Sequence, residues 1–514
     1  MNGSWMARAC VAALFSCAMA CGDDDSPETE HAPNEHERHD GQDGEDGADG
    51  EDGSDGEDGA PGPRGEDGRD GADGEDGSSC TVTEHDGATM IACPDGTTSV
   101  IDPEPHAPEE RPHGRLFFSD DTAEGVRVLD LGTGEIIATF AAVAPNASLY
   151  ASESARVVSV VQGAAHRVDF LDTGLASGDG AELPRVLEHA LIGETLGALT
   201  PIHVDSHHGY IAVHFDGRYD AATPSNTVDA RNYVIEEHAL FEDALAIAAQ
   251  FRTEPQHGVS LVTDQGLIIV SAPTTDRALS PSPNGFTVHE LSGELVQTIH
   301  DPEDFLASCW GMHGEAEVGG DILFGCHERL DGGIMVLSWD DAMARYTTHK
   351  VQYVGYPNAM RRTSTLRGHP NSDYAVGQWG YTASTSMYTG LVRIDPTAAA
   401  IVEEDVIELG AVYCDFDFER EHGERVIALA RDGTLHSIDV DSWSGHKTAE
   451  LLPPSDTACA GRMLVGAGVL YITVTERGEI LEVDATSLEV RRAFQVGGRP
   501  RNVALAAPGQ AHAH

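Results

Sequence analysis

The chain has 514 residues and carries 86 acidic against 31 basic side chains, a formal net charge of −55. That sign repels phosphate backbones, which argues against a nucleic-acid partner and for a cation. Gly (56) and Pro (25) are frequent, and Val, Ile, Thr and Tyr gather in short runs, so the composition points away from helical architectures and towards an all-β one.

The N-terminus reads as a targeting device. Arg8 is the sole positive charge ahead of a short apolar core, Val11 to Met19, and Ala18-Met19-Ala20-Cys21 follows. The pattern resembles a bacterial lipoprotein signal spanning residues 1–20, with the Cys21 thiol as the lipid acceptor; Cys17 after Leu14-Phe15-Ser16 is a competing site, and an ordinary secretory signal cut near Ala20 is the alternative. Past residue 21 no apolar run approaches the ~20 residues that span a bilayer, so attachment is by lipid alone. Export places the protein in the periplasm or at the cell surface and permits disulfides. Beyond Cys21 six cysteines remain, enough for fifteen pairings. Proximity favours Cys80–Cys93 and Cys309–Cys326, which leaves Cys414–Cys459 by elimination; no pair has the CxxC spacing of a thiolate zinc site.

Residues 21–79 form an acidic low-complexity tether containing His31, His36 and His39. From Gly41 to Gly77 a glycine falls at every third position, thirteen in all. Strict Gly-X-Y is the collagen pattern, but proline is confined to Gly59-Ala60-Pro61-Gly62-Pro63 and most X and Y positions are acidic, so the stretch 41–79 reads as a solvated tether, with a trimer as the alternative. Residues 80–102 hold two alternating runs around Asp86-Gly87, the signal of a small hairpin module stapled by Cys80–Cys93. A linker follows at 103–113.

From residue 114 to 507 short β runs alternate with Gly, Asp and Pro turns, and a unit of four runs recurs about every 50 residues. That period predicts a β-propeller. The segment opens on three runs that lack an inner strand, starting at Arg115-Leu116-Phe117-Phe118. It closes on a lone run, Asn502 to Ala507, so the two ends make one shared blade and shut the ring. Counting gives eight blades, with seven as the alternative. Residues 508–514 are a histidine-containing tail.

Inner strands of a propeller line its central channel. Three consecutive ones begin Pro201-Ile202-His203-Val204-Asp205, Pro255-Gln256-His257-Gly258-Val259 and Gly311-Met312-His313-Gly314-Glu315, with the histidines 54 and 56 residues apart. The matching register predicts that His203, His257 and His313 face one mouth of the channel together. Three imidazoles leave a fourth tetrahedral position, for which Asp205, Glu315, His207 and His208 are candidates. Such a donor set suits zinc, with copper or nickel as alternatives. The competing reading is three histidines that merely bond loop backbones.

Several of these stretches resemble the AztD-type zinc metallochaperones of bacterial periplasms. The resemblance is carried by Arg167 to Gly174, by Gln256-His257-Gly258-Val259, and above all by Cys309-Trp310-Gly311-Met312-His313-Gly314-Glu315-Ala316 followed by Phe324-Gly325-Cys326. It implies an exported β-propeller that binds zinc through histidines and passes it to the solute-binding protein of a metal importer. The matching positions are His257 and His313, then His203. The chain departs from that pattern in its lipid anchor, its Gly-X-Y tether and its sparser N-terminal histidines.

Enzyme readings are weaker: HExxH, GxSxG and P-loop motifs are missing from the sequence, although a three-histidine metal could activate water in a lactonase-like hydrolase, with Glu315 or Asp205 as base. A surface adaptor for protein partners is the other alternative.

Overall fold

The computed structural model describes the backbone of three strands within 81–101 and then residues 114–507, apart from 176–181, 194–197, 221, 243–244, 274–282, 300–308, 310, 327–331, 354–360, 364, 382–387 and 456–458. The expected signal segment with Cys21, the Gly-X-Y tether, Cys80 and Cys93, the linker and the tail at 508–514 lie outside the described residues. The chain divides into two compact units. The smaller contains an antiparallel sheet, Thr81–His85, Ala88–Ala92 and Thr98–Ile101, one strand more than the hairpin read from the sequence.

The larger unit is an eight-bladed β-propeller whose described strand pairings are antiparallel but for one. Among the described residues its only helical turns are short 3₁₀ ones. From the first blade to the eighth, the inner strands are Ser148–Ala151, Thr200–His207, Ser260–Val262, Met312–Val318, the broken pair Arg361–Arg362 and Leu366–Arg367, Tyr413–Phe418, Met463–Val465 and Pro500–Ala506. The eighth blade joins the two ends: Pro500–Ala506 pairs with Arg115–Asp120, followed outward by Gly125–Asp130 and Ile136–Ala141. Leu505 lies opposite Leu116 and Val503 opposite Phe118.

The residue types follow from position in the blade. The second strands Val157–Gln162 and Val469–Val474 are buried at every residue, because a neighbouring blade covers each face. The outer strand Ile136–Ala141 is only partly covered. Eight apolar clusters among the described residues each join one blade to the next; Val157, Val161 and Phe170 of the first, for example, pack with Ile211, Val213 and Phe215 of the second. Two disulfides reinforce the ring. Cys309–Cys326 closes the start of the fourth blade, and Cys414–Cys459 ties the inner strand of the sixth to the approach to the seventh.

Two details were not legible in the repeats. The fifth blade's inner strand is split in two, and Ala400–Ile401 crosses back to pair in parallel with the outer strand of the fourth blade, Arg345–Tyr353. A second regularity bears directly on the channel. In the second, fourth, sixth and eighth blades the ladder between inner and second strands slips one residue near its start, at Pro201/His203, His313/Glu315, Tyr413/Asp415 and Pro500/Val503. Such bulges bend a strand and re-aim its side chains. Two of the four fall on channel histidines.

Candidate metal centre

His203, His257 and His313 form a row where the inner strands of three neighbouring blades begin. The His257 ring is central, its centroid 5.6 Å from that of His203 and 5.3 Å from that of His313. All three line a small cavity with Gly258, Met312, Glu315 and Phe324. Glu315 reaches the row from the bulged fourth blade, Oε1 standing 3.8 Å from His203 Nδ1. The cavity thus offers three imidazoles and one carboxylate, a donor set suited to a borderline divalent cation such as zinc. The row stands wider than a closed coordination shell: the described triplets whose ligand atoms all lie within 4.8 Å of one another are His207–His208–Asp264 and Glu419–Glu421–His422. Ring rotation is needed to bring the three imidazoles onto one ion.

His257 is held from behind. Its Nδ1–H donates to Asp216 Oδ2 at 2.7 Å. Asp216 Oδ1 lies 3.2 Å from His214 Nε2, and His214 Nδ1 lies 2.6 Å from the Asn232 side-chain amide. His214 and Asn232 are fully buried, so this chain of polar groups is fixed by the packed blade. Burial disfavours the Asp216 anion, but the flanking His257 and His214 outweigh it and hold the carboxyl far below its ordinary range. An ionised Asp216 accepting from Nδ1 fixes the tautomer of His257 with its lone pair on Nε2, the orientation that carboxylates impose on metal-binding histidines. Gly258 beside it has no space for a side chain: a Cβ there would meet Ser271 Oγ and stand 3.1 Å from His214 Cε1.

The other candidates lie elsewhere. Asp205 accepts from the Val262 backbone N–H at 3.4 Å and, with His207, lines a larger cavity of about 360 Å³ in the channel. Glu315 lines both cavities. His207 and His208 do not complete the row. Strand Thr200–His207 carries His207 four residues beyond His203, about 13 Å along the channel, and both histidines meet Asp264 there.

The zinc chaperone AztD of Citrobacter koseri is 26% identical over 413 residues, which cover 77% of this chain and 88% of that protein. The propeller is homologous to AztD. Two solved structures of Citrobacter koseri AztD, one of them apo, match with TM-scores of 0.62 and 0.61 at 24% identity, over 78% of this chain and 99% of each of theirs. The likeness to AztD thus spans the eight blades. The N-terminal segment has a different affinity: residues 36–84 match the collagen triple helix repeat.

Sequence reasoning missed Asp216, His214 and Asn232. The first two lie at the far end of a second strand, where His214-Phe215-Asp216 reads as ordinary alternation, and Asn232 faces them from a third strand; only a pairing register exposes the set.

Proposed function

We propose that this chain is an exported zinc chaperone that captures zinc at the channel mouth through His203, His257 and His313, with Glu315 completing the set. The observation that carries the reading is the triad's convergence in one cavity, with Asp216 fixing the tautomer of its central member. The 26% identity to a protein named a zinc chaperone supports the cargo. Copper and nickel suit the same imidazole donors, so the choice of zinc rests on the named relative.

In this reading Cys21 carries a lipid and the acidic tether lets the propeller stand off the membrane. The acidic body raises the local cation concentration. The acceptor is the solute-binding protein of a metal importer. Binding and release of the ion are the function, and the residues here hold, orient and give up the cation rather than convert an organic substrate. An open row of imidazoles serves release, because a ligand exchange can begin at one ring while the others still hold the ion.

The test is zinc loading of the full chain, exhaustive dialysis and measurement of retained metal. Wild type retains one equivalent more than the His257→Ala, His313→Ala double variant, with circular dichroism unchanged. Equal zinc in the two proteins overturns the reading.

A further inference from the structure

The split inner strand of the fifth blade runs beside the strand that presents His313 and Glu315. A Cβ at Gly325, which lies opposite His313, would collide with Thr363 O, and one at Gly368 would collide with Glu317 O. Between these two points of close approach stands Arg367, on the fragment Leu366–Arg367. Its side chain is 35% exposed, and it lines the larger channel cavity together with Glu315, Glu317, Asp415 and Asp417. Glu315 borders that cavity and the histidine row alike. We propose that Arg367 is a positioning residue for the row: its guanidinium competes with the bound cation for the Glu315 carboxylate, and so sets how tightly the row holds zinc and how fast it lets go. The inference rests on the reading of the row as a zinc site with Glu315 in its ligand set.

Three observations carry it. The first is donor capacity. A guanidinium has five N–H donors in a fixed fork. Arg367 Nη1 donates to Leu366 O at 2.8 Å, and Nε stands 3.9 Å from Asp417 Oδ1. Asp417 is already engaged more closely, since Arg420 Nη2 donates to its Oδ2 at 2.9 Å. Arg367 therefore keeps donors for another carboxylate on the cavity wall. The second is charge. Burial disfavours the Arg367 cation, but Asp417, Asp415 and Glu315 outweigh it and push its ionisation above the ordinary arginine value. The third lies on the row side of Glu315. Oε1 stands 3.8 Å from His203 Nδ1, longer than a hydrogen bond, so the carboxylate has still to close on an ion.

A carboxylate placed between a divalent ion and a fixed guanidinium gives up one interaction to make the other. Arg–carboxylate hydrogen bonds are charge-assisted and strong, so Arg367 draws Glu315 back from the ion and favours release. Arginine stays charged throughout the range in which imidazoles titrate, so this pull is constant while the row itself answers to pH. Arg420 lines the same cavity, but its donors are occupied by Asp417 and by Val465 O at 3.2 Å, which makes it a control for charge alone.

The experiment is competition of the full chain against a chromophoric zinc chelator, with affinity read at equilibrium and the release rate read by rapid mixing of zinc-loaded protein with excess chelator. Arg367→Gln binds zinc about tenfold more tightly than wild type and releases it correspondingly more slowly. Arg420→Gln removes the same charge from the same cavity and stays within about twofold of wild type, and in a Glu315→Gln background the gain from Arg367→Gln falls to about twofold or less. Unchanged or weakened binding in Arg367→Gln overturns the inference. So does an equal gain in Arg420→Gln, or a gain that persists without the Glu315 carboxylate. Where Arg367→Gln does not fold by circular dichroism, Arg367→Lys carries the test: the ammonium keeps the charge but not the fork, so a gain of about threefold supports the competition and no gain overturns it. His257→Ala/His313→Ala, run alongside, separates the two readings. Zinc lost there with Arg367→Gln unchanged overturns the role of Arg367 alone, whereas zinc retained there overturns the row and this inference with it.

Discussion

Asp216 Oδ2 accepts the Nδ1–H of His257 at 2.7 Å, and this pair ties the central imidazole of the row to the packed fold. Asp216 ends a packed second strand, whereas His257 lies ahead of the inner strand Ser260–Val262 with little regular structure of its own to orient it. Without the carboxylate the tautomer of the ring is no longer fixed from behind. Asp216→Asn therefore weakens zinc binding by about 10–100-fold while the circular dichroism spectrum stays that of a β-propeller. An unchanged affinity in Asp216→Asn places the orienting role elsewhere.

Acid separates the ion from the fold. Imidazole ligands must be deprotonated, so retained zinc falls as the pH drops through about 6.5. Asp216 behaves oppositely in timing. Its carboxyl in the folded protein ionises far below the ordinary value, so its contribution to stability is fully present above about pH 4 and is lost only as the pH falls further. Zinc loss and unfolding should appear as two transitions when metal content and near-ultraviolet circular dichroism are followed down one pH titration. Zinc retained at pH 5 contradicts imidazole ligation.

The two disulfides divide their effects. Cys326 lies opposite Met312 in the ladder and Gly325 opposite His313, so Cys309–Cys326 braces the strand that presents one histidine of the row. Cys414–Cys459 spans 45 residues and ties two blades away from the row. The Cys414→Ser, Cys459→Ser variant loses about 2–4 kcal/mol of stability, seen as a lowered Tm, and keeps its zinc. The Cys309→Ser, Cys326→Ser variant loses zinc affinity as well. Equal zinc affinity in both variants removes the bracing role.

Closure of the ring rests on a few apolar side chains. Leu116 and Leu505 are buried opposite each other in the eighth blade and pack with Tyr471 and Ile480 of the seventh. Leu116→Ala costs about 2–5 kcal/mol. Chemical denaturation that shows less than about 1 kcal/mol at this position would mean the seam contributes little to the ring.

Much of this was legible in the residues. The recurring four-run unit gave the propeller because each blade repeats the same buried and exposed faces, and the lone run at Asn502 to Ala507 gave the shared blade. His203, His257 and His313 could be aligned because each stands at the start of an inner strand. Asp216 could not, since an acidic residue at the end of a strand is ordinary and nothing local marks the start of the next blade as its neighbour. His207 and His208 were read as possible completions of the row because spacing along one strand hides distance along the channel. The return of Ala400–Ile401 to the fourth blade breaks the repeat and leaves no periodic trace.

The shared blade also sets the order of events in folding. Its inner strand, Pro500–Ala506, is synthesised after every other strand of the propeller, yet its partner, Arg115–Asp120, is synthesised first. The most distant pairing in the ring is thus the one that completes it, and pairings of that kind form slowly. A nascent chain halted at any point short of Pro500 leaves the edge of Arg115–Asp120 unmatched and the propeller unclosed. The closed ring, with its channel and the histidine row at its mouth, therefore arises only after the last strand is made.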